Sequence, residues 1–231
     1  GALSPGSDVL VIRTVTGKPL RLSENTDAAG TSMKIETVAG GKCSDGATDK
    51  VSGFCNGSYG LVASCGGARA FQLSAAPTAT LTMGAPLVSY QVFPSASSEV
   101  FPLQTIAYYI KQASSGTTTS LYRRVFSGDP AGGVEQELLE DVESLQVLYG
   151  RDTTLPEADG TVDVYSTAQN VTDWNRVVTV RMGLLIRSAS PLPADTKLAA
   201  SAPLNGVTVT YPADSRYDRR VFTTTVALRN K

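Results

Sequence analysis

Between Val177 and Arg187 the apolar residues Val178, Val180, Met182, Leu184 and Ile186 fall on every second position. Thr179, Arg181 and Arg187 point the other way. A period of two is the signature of a strand with one covered face, and it commits this part of the chain to a sheet. Other segments repeat the pattern. Ile106, Tyr108 and Ile110 alternate, as do residues in Leu121–Phe126, and a turn at 114–117 makes these two runs a predicted hairpin. Phe222, Val226 and Leu228 form one face of a closing strand over 221–228. The 21 glycines and 12 prolines supply the turns that many short strands need.

Further strands are expected at Asp8–Arg13, read as a core strand, at Met33–Val38, at Tyr59–Ser64 and at Ala70–Leu73, with a weaker one at Leu20–Leu22. Residues 74–104, punctuated by Pro77, Pro86, Pro94 and Pro102, read as a long connection. Helix competes only at Val134–Leu145, where Val134, Leu138, Val142 and Leu145 share a helical face, although Gln136–Leu139 also suits a strand. The sum is a single α+β domain over 1–231, predominantly antiparallel β, with no internal repeat. The opening Gly1-Ala2-Leu3-Ser4 reads as a cut edge, with residues 1–5 outside the native fold.

Three cysteines, Cys43, Cys55 and Cys65, are spaced C-x11-C-x9-C. That matches no common zinc pattern, and no histidine is present to complete a ligand set. One disulfide formed in an oxidising compartment is the better reading. If Tyr59–Ser64 is extended, at about 3.3 Å per residue, Cys55 and Cys65 lie too far apart to bond. Cys43 is then the common partner, to either Cys55 or Cys65.

Asp152, Glu157, Asp159 and Asp163 crowd one loop. Carboxylates so close offer oxygens to Ca²⁺, but the EF-hand spacing is absent and Pro156 stiffens the segment. A solvated acidic turn is preferred, with calcium as the lesser reading. Arg123-Arg124 and Arg219-Arg220 each precede Val-Phe. A doublet in a strand sends one arginine to each face, so one of each pair needs a carboxylate partner under a loop. Trp174, the one tryptophan, reads as a plug at the edge of the core rather than a sugar platform.

Several functions are excluded or left without support. The absence of histidine removes Ser-His-Asp and Cys-His catalysis and histidine-ligated metals. With 20 basic against 21 acidic side chains, the chain lacks the cationic surplus of a nucleic-acid binder. No phosphate or dinucleotide fingerprint surrounds Gly66-Gly67 or Gly132-Gly133. No nucleophile, base or cofactor cradle stands out, which points to an interaction role without cofactors.

Three sets of residues together resemble the PilW family of type IV pilus minor pilins. The first is Gly6–Arg13. The second is Tyr59–Cys65 followed by Ala70–Leu73. The third is the most specific: Leu121–Arg124, Leu138–Gly150, Val171–Trp174, Val177–Ser188 and Arg220–Asn230. The resemblance implies a pilin or pseudopilin-like head from which a long apolar N-terminal helix has been removed. That helix would hold the protein in the inner membrane of a Gram-negative cell and later pack into the pilus. The head would lie on the periplasmic side and join other minor pilins, the major pilin and a tip adhesin to prime assembly. Twitching motility and cell adhesion would depend on it indirectly. A pseudopilin of type II secretion and a free-standing surface or carbohydrate-binding β-domain are the alternatives.

Overall fold

The computed structural model describes residues 2–43, 45–87, 92–114, 116, 118–126, 133–212 and 215–228. The strands, in chain order, are β1 (Leu10–Val15), β2 (Leu20–Arg21), β3 (Ser32–Lys34), β4 (Ala39–Lys42), β5 (Asp49–Val51), β6 (Tyr59–Ser64) and β7 (Gly67–Gln72). Then follow β8 (Thr80–Thr82), β9 (Glu99–Gln112), β10 (Thr119–Phe126), β11 (Val134–Glu140), β12 (Val142–Arg151) and β13 (Val164–Ser166). The last four are β14 (Val177–Arg187), β15 (Ser201–Leu204), β16 (Val207–Thr210) and β17 (Arg219–Ala227).

Helix is confined, among the described residues, to two single 3-10 turns at Ala168–Asn170 and Trp174–Arg176. The strand pairings with a defined register are all antiparallel. The α+β, pilin-like expectation is therefore corrected to an all-β arrangement. Among the described residues no helix is long and apolar enough to cross a membrane.

The competing helix at Val134–Leu145 is resolved in favour of strands β11 and β12. Asp141 sits between them at φ 60°, a left-handed conformation that interrupts any helix. Val142, Leu145 and Val147 are buried while Val134, Leu138 and Leu139 are exposed, so the four residues of the supposed helical face do not share one environment. Ladder bonds from β12 to β13 and β14 take the place of intrahelical ones.

Two compact units divide the chain: Gly1–Leu10 with Tyr108–Arg123 and Gln136–Lys231, and Val11–Ala107 with Arg124–Glu135. The second unit contains the ladder β7-β6-β9, with β1 and β2 also pairing to β9. The small antiparallel pairs β3–β8 and β4–β5 lie beside it in sequence. Its core gathers Leu22, Met33, Ile35, Phe54, Val62, Phe71, Leu81, Phe93 and Val100. Gly60 is required there, because a methyl group at this position would run into the ring of Phe71, with Cε2 only 2.7 Å away. Two expectations change in this unit. β9 begins at Glu99 rather than Ile106, and the connection before it contains β8. β1 is largely exposed, with Val11 and Ile12 facing water, so it is not a core strand. It pairs with β9 off the main path of the sheet.

The first unit is built on a sheet of order β13-β12-β14-β17. Ile110, Val142, Leu145 and Val147 form a buried cluster, and Val180, Met182, Leu184 and Ile186 pack against it from β14. These four belong to the apolar face read from the sequence. The opposite face of β14 is covered as well: Leu185 is fully buried. The hairpin β15–β16 caps that face at Gly183, where an added Cβ would meet Leu204 Cδ1 at 2.7 Å. The hairpin expected around 114–117 is present as the facing ends of β9 and β10, closed by Ala113 N donating to Thr118 O. Ser115 and Thr117 lie outside the described residues.

Candidate functional site

β17 pairs with β14 over nine consecutive residues without a bulge, from Thr179 opposite Ala227 to Arg187 opposite Arg219. Its sequence, Arg219-Arg220-Val-Phe-Thr-Thr-Thr-Val-Ala227, is rich in β-branched and aromatic residues and holds no Gly or Pro. Among the described residues no strand pairs with its other side, so β17 is the edge of the sheet. Phe222 is 54% exposed and Val226 45%. They are two of the three residues expected to share one face of the closing strand, and Leu228, the third, is exposed too. The alternation is present, and this face of β17 is left open to solvent.

Two ion pairs pin the start of this edge. Arg219, only 6% exposed, donates through Nε and Nη2 to the two oxygens of Glu143 at 2.6 and 2.8 Å. Its Nη1 reaches Ser215 Oγ and Tyr217 O, and its plane lies 4.3 Å from the Tyr211 ring. Arg187 Nε bonds Asp141 Oδ1 at 2.9 Å and stacks on Tyr217. A shallow hollow of 440 Å³ opens between Glu143, Arg187, Pro191, Pro212 and Tyr217. Both arginines already have carboxylate partners, so this hollow offers little free charge to a ligand. Arg220 points outward, 77% exposed, toward Asp218. The inward-outward split of this doublet is the one read from the sequence. In the other doublet, Arg123 Nη2 bonds Gln136 Oε1, while Arg124 packs over the Phe126 ring.

The acidic loop turns its carboxylates on itself. Asp152 is fully buried and accepts from Gly160 N at 2.6 Å and Thr154 N at 3.0 Å. Asp163 accepts from Thr153 N and Thr153 Oγ1, and Asp159 from Thr161 N. Glu157 is exposed. Among the described residues no group of three or more Asp, Glu, Cys or His converges in a way that could hold a metal.

Two of these carboxyls are pulled below their ordinary pKa. For Asp152 burial pushes upward, but the Gly160 and Thr154 amides and the nearby Arg176 outweigh it. For Asp163 the Thr153 amide and hydroxyl dominate. Because the folded values are depressed, the loop's stabilisation is complete above the ordinary carboxylate value of about 3.9. It is lost as pH falls through the lowered values. The Gly160 and Thr153 amide resonances are expected to hold their shifts down to about pH 4 and then move together. Movement of both well above that pH would show that the carboxylates do not hold them.

Trp174 stands at the edge and not in the core. It is 53% exposed and meets Tyr149 edge-on at 4.8 Å. Cys43 and Cys55 form the disulfide, one of the two pairings open from sequence, and Cys65 is free and exposed.

No curated protein and no solved structure matches this chain. A family model does: type IV pilus-assembly protein W matches residues 107–230, more than half of the chain. The match takes in the end of β9 that faces β10, β10 itself, the sheet β13-β12-β14-β17 and both arginine doublets. The resemblances at Gly6–Arg13 and Tyr59–Leu73 lie outside it. The resemblance carried by the late blocks of sequence is thereby established: the chain belongs to the type IV pilus-assembly protein W family.

Proposed function

We propose that this chain acts without catalysis as the head of a minor pilin, binding other minor pilins in the complex that initiates type IV pilus assembly. The observation that carries the reading is the β17 edge inside the family-matched region. It presents backbone donors and acceptors flanked by exposed Phe222 and Val226, the equipment for strand addition and apolar contact. The whole chain, 1–231, works as one head on the periplasmic side of the inner membrane and then at the pilus, with the major pilin and a tip adhesin among its neighbours. Adhesion and twitching follow from assembly, not from a site on this chain.

The test is a pull-down of the purified chain against the heads of the other minor pilins of the same cell, each folded and at about 10–50 µM, a range suited to weak contacts. Reproducible capture of at least one is expected. Capture of none, together with measurable glycan binding, would replace this reading with a free-standing surface domain.

A further inference from the structure

We propose that β17 is also the pairing edge for a second copy of this chain, the two strands running antiparallel about a two-fold axis through Thr224. This goes beyond the reading above, which concerns other subunits, and it rests on the strand itself.

The backbone fixes which groups are free. Leu228 N donates to Val178 O, and Ser188 N donates to Asp218 O. In the uninterrupted antiparallel register, even-numbered residues of β17 therefore form the hydrogen-bonded pairs with β14. The N–H and C=O groups of Val221, Thr223, Thr225 and Ala227 are turned outward. Natural edges are commonly protected by a charge, a proline or a bulge. From Val221 to Leu228 there is no charged residue, glycine or proline, and the pairing with β14 has no irregularity. An edge left this open is suited to another strand.

The sequence also matches itself. Placing Thr224 opposite Thr224 of the second copy sets Phe222 against Val226, Thr223 against Thr225 and Val221 against Ala227. The hydrogen-bonded pairs of this arrangement fall on the residues whose backbone groups point outward. Phe222 and Val226 fall in a non-hydrogen-bonded pair, where facing side chains come closest. Arg220 meets Leu228, so the two Arg219-Arg220 doublets sit at opposite ends and never face each other. An extended strand from a different subunit would use the same backbone groups but would have no reason to match β17 in this way.

Sedimentation of the full chain between about 5 and 500 µM, the range in which a single strand pairing is measurable, reads the association. The mass is expected to rise from 24.2 kDa toward its double. Thr224→Lys alone and Thr224→Glu alone place like charges face to face across the axis and should weaken the dimer at least about tenfold. An equimolar mixture of the two variants should recover it. Thr224→Cys on a Cys65→Ser background should yield a disulfide-linked dimer with oxidised glutathione, since facing Cα atoms in such a pair lie about 4.5 Å apart. Thr224 is exposed, so these variants keep the fold, which circular dichroism verifies. A wild type that stays monomeric throughout, or charged variants that associate as the wild type does, overturns the proposal. A monomeric wild type leaves the reading above standing, because the pull-down reads capture of other minor pilin heads and not self-association.

Discussion

Replacing Arg219 with alanine should lower the unfolding free energy by about 2–4 kcal/mol. The guanidinium is nearly buried and satisfies both oxygens of Glu143 together with Ser215 Oγ and Tyr217 O. Removing it leaves a carboxylate that is 23% exposed without its counter-charge, and the retained water contact places the cost at or somewhat below the lower part of the range for a fully buried pair. Arg219→Lys should recover less than half of the loss, because an ammonium cannot bridge both carboxylate oxygens and lie over Tyr211 as well. The double replacement Arg219→Met with Glu143→Leu should cost less than Arg219→Ala alone, since no charge is left stranded. Urea titrations decide the matter. A loss under about 1 kcal/mol for Arg219→Ala would mean that the pair behaves like a solvated surface bridge.

Removing the disulfide with Cys43→Ala and Cys55→Ala together should cost about 2–4 kcal/mol, as expected for a short closed loop of this kind. The bond closes a sequence separation of 12 residues, both half-cystines are buried, and Phe54, next to Cys55 in the chain, is fully buried in the core of its unit. The cost therefore includes packing as well as loop entropy. Cys65→Ser is the control: an exposed free thiol should change stability by less than about 0.5 kcal/mol. Unfolding is measured with and without reductant. If wild type and the double variant unfold at the same denaturant concentration without reductant, the bond does not contribute.

Much of the first unit was legible because its signals are local. The apolar alternation at Val180, Met182, Leu184 and Ile186 identified β14 and the face that packs on Val142 and Leu145. The Arg219-Arg220 doublet split as strand geometry requires, one inward on a carboxylate and one outward. Glu143 as the partner was not legible: it is far away in sequence and is brought near only by the order of strands in the sheet. The covered second face of β14 was hidden for the same reason. Gly183 and Leu185 look unremarkable until the β15–β16 hairpin is seen lying over them.

The helical spacing at Val134–Leu145 misled because three-or-four-residue periodicity also arises by chance where two strands meet. One left-handed residue, Asp141, separates β11 from β12, and nothing in its neighbours announces it. The cysteine pairing stopped at two options because strand length excluded only Cys55 with Cys65. β5 and the Val51–Phe54 bridge lie between Cys43 and Cys55 in the chain, and the pairing of β5 back onto β4, which ends next to Cys43, accompanies a Cα separation of 6.0 Å.

The sequence by itself determined the predominance of antiparallel strands, the apolar face of β14, the disulfide partners within one choice and the late blocks that carry the family. Each is set by residue period, spacing or type within a short stretch of chain. Only the tertiary structure decided that β17 is an edge rather than an interior strand. Phe222 and Val226 have the same pattern in either position; whether a strand lies alongside β17 and whether anything packs over its face are both set by long-range contacts that no local sequence encodes.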